Sequence, residues 1–286
     1  MAIWPADYNG SWTLAAPVGR TGVGLHSGAS VSVTLRPSDR AGYHVRWADD
    51  SSATDPITLA PSQVRESQLC TTLALGEKQL STVEHLLAAL AGTGLTHVEL
   101  VVSGREVPLL DGSALGWVEA IAEAGMEPAA TSRSPRPQVQ APITCHRGHS
   151  VITATPAAGF QLVGVIEFPQ AAIGRQQFTI SLTPECFVEQ IAPARTFGFR
   201  DQVEQLRAAG LIQGGALDNA LVCDGEHWLN PPLRFADEPV RHKLLDLIGD
   251  LALVGFPQAQ VLVYRGSHGL HTDLAAALAG QTSSFC

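Results

Sequence analysis

An α+β fold made of two similar halves is what the sequence predicts, and three observations predict it. Residues 127–142, E-P-A-A-T-S-R-S-P-R-P-Q-V-Q-A-P, hold four prolines and almost no large apolar side chain, a composition that reads as a linker. It cuts the chain near its middle, giving a first domain over 1–128, a linker over 129–142 and a second domain over 143–286. On each side, strand-like alternation is interleaved with about two helical patterns. The chain has 286 residues, 45% hydrophobic and 16% charged, enough apolar material for a real core, which excludes a disordered protein.

Taken in order, residues 31–35 (V-S-V-T-L) alternate apolar and polar and read as a strand, as does the stretch 96–102. Residues 81–91 read as a helix opened by a capping box, with Ser81 as N-cap and Glu84 three residues on. There Val83, Leu86, Leu87 and Leu90 recur at i, i+3, i+4 and i+7, one apolar face. A second helix is expected over 114–124. Beyond the linker, strands are expected at 150–155 and 161–168, helices at 201–209 and 239–254, a last strand at 260–265 and a short helix after Thr272.

Lys plus Arg number 18 against 27 Asp plus Glu, a formal charge of -9. So acidic a chain is unsuited to non-specific nucleic-acid binding, while an anionic substrate requires basic residues gathered locally. The opening M-A-I-W-P has neither a basic stretch nor an apolar core, so no signal peptide is expected. No apolar run approaches the ~20 residues of a membrane span, so no stable membrane insertion is expected. Cys70, Cys145, Cys186, Cys223 and Cys286 are scattered and form no C-x-x-C, which fits a reducing, cytoplasmic setting.

Two helices carry the chemistry. On the first, Glu84 and His85 project away from the apolar face; capping by Glu84 and simple solvation of His85 is the plain alternative. On the second, His242, Asp246 and Asp250 stand at i, i+4 and i+8 opposite the leucines and Ile248, with Lys243 beside them. A solvated face with helical ion pairs fits this stripe poorly, because Lys243 precedes its acidic partners and Asp250 lies near the helix C-terminus, both against the helix dipole. A His and an Asp one turn apart can bind one metal ion, and His85 could supply a third ligand. Two imidazoles and a carboxylate leave tetrahedral Zn²⁺ an open position, the pattern of a catalytic site. Glu84, next to a ligand, is then placed to take a proton from water. His26 is equally a pocket residue or a turn residue. Cys70 reads as a pocket residue before a ligand. His44, His97, His146, His149 and His227 read as surface or loop residues, and the run C-H-R-G-H at 145–149 has no complementary ligand cluster.

With G-V-G-L-H-S-G (22–28), S-T-V-E-H-L (81–86), D-G-S-A (111–114), R-T-F-G-F (195–199) and R-H-K-L-L-D-L-I-G-D-L (241–251) in this order, the chain resembles the UDP-3-O-acyl-N-acetylglucosamine deacetylases, zinc amidases of lipid A synthesis. The resemblance implies two similar α+β domains whose helices pack face to face around one Zn²⁺ per chain. It implies His85, His242 and Asp246 as ligands, Glu84 as general base, and Lys243 and Thr196 as groups that meet the oxyanion or position water. It implies His268 as the acid supporting the leaving amine and Asp250 as the group orienting it. His26, Phe197, Phe199 and Arg265 become candidate substrate contacts, and the substrate a UDP-linked, acylated amino sugar, bound by a monomer.

One motif departs from the family pattern. Where the family reads G-H-x-L-N, this chain reads S-H-G-L-H (267–271), so His271 is an alternative acid, although the register from Tyr264 favours His268. Arg265 stands where a lysine is expected, and a guanidinium fork differs in geometry from an ammonium. The same residues would also serve a zinc amidase acting on another N-acyl sugar, or a non-catalytic relative that binds nucleotide sugars.

Overall fold

The strand at His97–Val102 is the axis of a seven-stranded sheet in the first half of the chain. Ser30–Pro37 runs antiparallel to it and Gly42–Trp47 parallel. The alternation read in the sequence is the observed burial: Val31, Val33 and Leu35 point into the core, with Ser32 and Thr34 on the other face. The computed structural model describes residues 4–50, 55–65, 68–230 and 232–282; residues 1–3 of the amino-terminal stretch and Cys286 lie outside them.

Six helices are described: α1 (Glu84–Gly92), α2 (Leu115–Ala124), α3 (Pro184–Gln190), α4 (Val203–Ala208), α5 (Glu238–Leu251) and α6 (His268–Thr282). The second half carries a five-stranded sheet, ordered Ile143–Arg147, Ser150–Pro156, Ala259–Tyr264, Phe160–Glu167 and Arg175–Ser181. Its central strand, Ala259–Tyr264, pairs antiparallel with Ser150–Pro156 and parallel with Phe160–Glu167. Each half also carries a small three-stranded insert, one at 64–81 and one at 197–228. Of these, α4, α5 and α6 answer to the helices expected at 201–209, at 239–254 and after Thr272, and α3 is a short helix that the sequence does not lead one to expect. The final helix begins earlier than the sequence suggests, with His268 in its first turn.

α1 packs directly on α5. Every residue of α1 is buried, and the apolar cluster that contains Leu86 and Leu90 runs unbroken into Leu244, Leu245 and Ile248 of α5. The approach is close enough to require glycine at 249, where a Cβ would lie 2.0 Å from the backbone oxygen of Glu84. The proline-rich stretch is tied down along its length. Met126–Pro128 pairs with Trp12–Leu14, Arg133 N–H donates to Ser11 Oγ at 2.8 Å, Arg136 Nε donates to the Phe256 carbonyl at 2.8 Å, and Val139 is buried. Among the described residues no helix is long and apolar enough to cross a membrane.

Candidate active site

The start of α1 differs from the capping box the sequence suggests. Ser81 is the last residue of the strand Lys78–Ser81; its N–H donates to Arg105 O and its carbonyl accepts from Val107 N–H. Its backbone is therefore spent on strand-like pairing, and the chain turns into the helix through Thr82, held in the left-handed region at φ 57. Val83 is the N-cap residue, and Glu84 is released from capping. One Glu84 oxygen accepts the Thr71 backbone N–H at 3.0 Å. The other lies 4.0 Å from Nε2 of His268. Burial pushes the Glu84 carboxyl above its usual range, partly offset by His268.

Opposite it, the ligand-capable atoms of His85, His242 and Asp246 converge, all within 4.8 Å of one another. Oδ1 of Asp246 is 3.6 Å from Nε2 of His85 and 3.3 Å from Nε2 of His242. Nδ1 of His242 donates to the Ala194 carbonyl at 3.0 Å, which leaves Nε2 as a lone pair. Burial brings His242 down to about 4, so near neutrality an unprotonated nitrogen faces a carboxylate. Nδ1 of His85 is buried without a protein partner among the described residues. Two imidazoles and a carboxylate converging on one point, with Nδ1 of His85 lacking a partner among the described residues, fit a divalent cation. Lys243 donates to the other Asp246 oxygen at 2.7 Å. Burial works to raise Asp246, but the charges of Lys243 and His242 outweigh it and hold the carboxyl well below its usual range.

A second group, Asp250, His268 and His271, has the same donor types, but its polar atoms are largely spent on each other. His268 Nδ1 reaches Asp250 Oδ2 at 3.0 Å and Thr71 Oγ1 donates to Oδ1 at 2.5 Å. Burial disfavours charge on His268, yet Asp250 outweighs it and raises the ring to about 9; Asp250 itself falls to about 2. The pair is an imidazolium–carboxylate near neutrality, at the N-terminus of α6, where the helix dipole would otherwise oppose a cation.

These groups face a cavity of about 1370 Å³. Glu84, His85, Thr196, His242, Lys243, Asp246 and His268 all line it, with Asp250 behind His268. Phe197 and Phe199 line it too, within an aromatic group that includes Phe168 and Trp228. His26 and Arg265 are not on its wall. His26 sits where the two halves meet: its N–H donates to Glu106 at 2.8 Å and its carbonyl accepts from Gln213 N–H at 3.2 Å. Arg265 is exposed, and the arginines on the wall are Arg65, Arg147, Arg200 and Arg207. His271 is fully buried away from the cavity, whereas His268 opens onto it. Cys70 lines the cavity, with Sγ 3.7 Å from Thr72 Oγ1, and is outside the His–Asp group.

Two histidines read as surface residues are buried. His97 bridges Thr96 and Thr131 hydroxyls at 2.8 and 3.0 Å, and His44 meets Thr58 Oγ1 at 3.1 Å. Thr131 and Thr58 lie far from these histidines in the chain, so the neighbouring sequence gives no pattern to read. Thr71 was missed for the same reason: its N–H holds Glu84 and its hydroxyl holds Asp250, yet nothing in its neighbourhood marks it. Glu106 was missed as well; it accepts from His26, Ser27 and Thr82 and so pins the loop and the turn that lead to α1.

The fold and cleft define a class: a two-halved α+β protein with a candidate metal centre on a cavity beside the contact of α1 and α5. Residues 11–280 match the model of the family described as UDP-3-O-acyl N-acetylglycosamine deacetylase. A protein named UDP-3-O-acyl-N-acetylglucosamine deacetylase from Thermosynechococcus vestitus is 48% identical over 274 residues, covering 94% of each chain. One of the same name from a Nostoc species is 48% identical over 92% of this chain and 96% of its own. A probable UDP-3-O-acyl-N-acetylglucosamine deacetylase of Arabidopsis thaliana, named mitochondrial, is 42% identical over 92% of this chain and 86% of its own. The chain belongs to the UDP-3-O-acyl-N-acetylglucosamine deacetylase family.

Proposed function

We propose that this protein hydrolyses the N-acetyl group of a UDP-3-O-(3-hydroxyacyl)-N-acetylglucosamine, releasing acetate and a free amine for lipid A synthesis in the cytoplasm. The observation that carries the proposal is the convergence of His85, His242 and Asp246 beside a buried Glu84 and a charged His268 on one cavity wall. His85, His242 and Asp246 would hold one Zn²⁺, which when bound polarises the acetamide carbonyl and acidifies water. Glu84, raised by burial and steadied by Thr71, accepts the proton of the attacking water as the C–O bond forms. Lys243 and Thr196 face the same wall and meet the negative charge that develops on the acetyl oxygen. His268 carries a proton at neutral pH, held by Asp250, and gives it to the glucosamine nitrogen as the C–N bond breaks. Phe197, Phe199 and the neighbouring leucines supply apolar surface for an acyl chain.

The test is acetate release by the purified, metal-loaded protein from the acylated UDP-sugar and, alongside, from UDP-N-acetylglucosamine. Turnover of the acylated compound alone, abolished by a chelator and restored by Zn²⁺, is the expected result. Equal turnover of both, or none with metal bound, would redirect the reading to another amide.

A further inference from the structure

The proposed chemistry uses one side of Asp250; on the other side stands a buried ring that it does not use. His271 is 0% exposed and follows His268 by three residues on α6. Its Nδ1 lies 2.9 Å from Asp250 Oδ2, the same oxygen that His268 Nδ1 reaches at 3.0 Å, while Thr71 occupies the other oxygen. Nε2 of His271 is buried with no partner among the described residues. A neutral ring has one proton to place. On Nδ1 it meets a carboxylate; on Nε2 it would meet nothing and leave a lone pair against that carboxylate, the costlier arrangement. The ring is also fixed from behind. A Cβ at Gly266 would come within 2.6 Å of Nε2, and the His271 N–H donates to Ser267 O at 2.9 Å. The side chain therefore fills the space beneath the Gly266–Ser267 turn that delivers His268 to the cavity.

We infer that His271 is a positioning residue: by donating Nδ1–H to Asp250 it makes two rings share one carboxylate oxygen, which fixes that carboxylate and sets the orientation and proton affinity of His268. The effect on turnover rests on the deacetylase reading above; the hydrogen bonding does not. An oxygen that already accepts from His271 pulls less strongly on His268, so the shared arrangement lets the acid release its proton more readily than an exclusive Asp–His pair would. Burial keeps His271 itself neutral, its ring below the usual histidine range despite Asp250. The other groups facing the two rings are Glu84 from α1 and Lys243 and Asp246 from α5, and none of them donates to Asp250.

Two variants of the Zn²⁺-loaded full chain separate this role from packing. In H271N the amide nitrogen can stand where ring Nδ1 stands; H271L has similar reach and no donor. H271L is expected to keep its zinc, to lose about tenfold in kcat with KM changed less than about twofold, and to move the basic limb of its kcat–pH profile to higher pH. H271N is expected to stay within about threefold of the parent and to keep the parent's profile. An H271L enzyme with the parent's kcat and profile overturns the inference, and so does an H271N as impaired as H271L. Should both variants misfold, long-range ¹H–¹⁵N spectra of the parent's histidine rings decide: a neutral Nδ1–H tautomer for His271 near pH 7 supports it, and an Nε2–H tautomer or an imidazolium overturns it. A zinc-loaded parent that deacetylates nothing would refute the deacetylase reading and leave the tautomer result intact.

Discussion

The two halves supply the site in different ways. The first half contributes Glu84 and His85 from adjacent positions at the start of α1, a helix buried on every side. The second contributes His242, Lys243, Asp246 and Asp250 along one stripe of α5, with His268 across from it. On α5 the spacing of one turn does the organising, because i, i+4 and i+8 side chains lie over one another. On α1 nothing about the helix organises the pair; a left-handed Thr82 and the backbone of Thr71 aim Glu84 instead. A single amphipathic helix can thus carry most of a buried polar site, but it needs a second helix of small and apolar residues to close over it. The difference teaches that the placing of His242 and Asp246 depends on α5, and that of Glu84 and His85 on how α1 is delivered to it.

The largest effects come from breaking each side separately. H85A and D246A, one from each half, are each expected to lose metal and activity together, read as zinc content after gel filtration and as acetate release. E84A is expected to retain metal while turnover falls about 10²–10⁴-fold. Near-normal turnover in E84A would remove Glu84 as the base and leave α1 with the ligand alone.

The joint between the halves is tested next. G249A places a methyl group 2.0 Å from the Glu84 backbone oxygen, and the obstacle is backbone on both helices, which cannot rotate away. We expect a loss of about 3 kcal/mol, seen as a fall in melting temperature of about 6 °C or more, with reduced zinc affinity as α1 lifts from α5. A melting curve unchanged within about 2 °C would mean that the helices have room to separate.

What the sequence makes legible follows the same division. The α5 stripe was readable because the spacing of His242, Asp246 and Asp250 equals helix periodicity, and so was the fold, because strand alternation in residues such as Val31, Val33 and Leu35 is local. The capping box at Ser81 misled because a strand end and a helix start share the same residue preferences; long-range pairing to Arg105 and Val107 decided between them. Thr71, Glu106 and the buried His97 were invisible for a related reason. Each acts on residues distant in the chain, and only the finished fold brings them together. The resemblance to the deacetylase family carried what periodicity could not, above all the choice of His268 as a site residue. It also made Arg265 a candidate substrate contact, and the cavity wall carries Arg65, Arg147, Arg200 and Arg207 but not Arg265.

How α1 is delivered can be tested through Glu106, which meets only donors: His26 N–H at 2.8 Å, Ser27 N–H at 2.9 Å, and the hydroxyls of Ser27 and Thr82 at 2.6 and 3.0 Å. Burial works to raise its pKa, but these hydrogen bonds outweigh it and bring it below the ordinary 4.5. A depressed carboxylate contributes stability above its unfolded pKa and loses that contribution as pH falls through its folded value. E106Q sets an amide N–H₂ against donors and is expected to cost about 1–3 kcal/mol at pH 7. The gap between parent and variant, measured by denaturant unfolding, should stay level at neutral pH and narrow below about pH 4.5 as Glu106 of the parent takes up a proton. A gap independent of pH would show that the charge of Glu106 is irrelevant to the turn at Thr82.

The smallest expected effect is at the rim. Arg234, just before α5, donates to Asp111 of the first half at 2.7 Å and to the Pro193 carbonyl at 2.8 Å, while Asp111 also accepts from the N–H and hydroxyl of Ser113 at 3.0 and 2.8 Å. The pair joins the two halves, and both side chains are about a third exposed, 32% for Arg234 and 31% for Asp111. Solvent and salt therefore screen it. A double-mutant cycle with D111A and R234A should give a coupling of about 0.5–1 kcal/mol that shrinks as salt is raised. A much larger, salt-insensitive coupling would mean that the halves are held at their edge as firmly as at their centre. A weak coupling is what a protein whose halves share one apolar cluster calls for: the rim pair would then set the register of two surfaces that burial has already brought together.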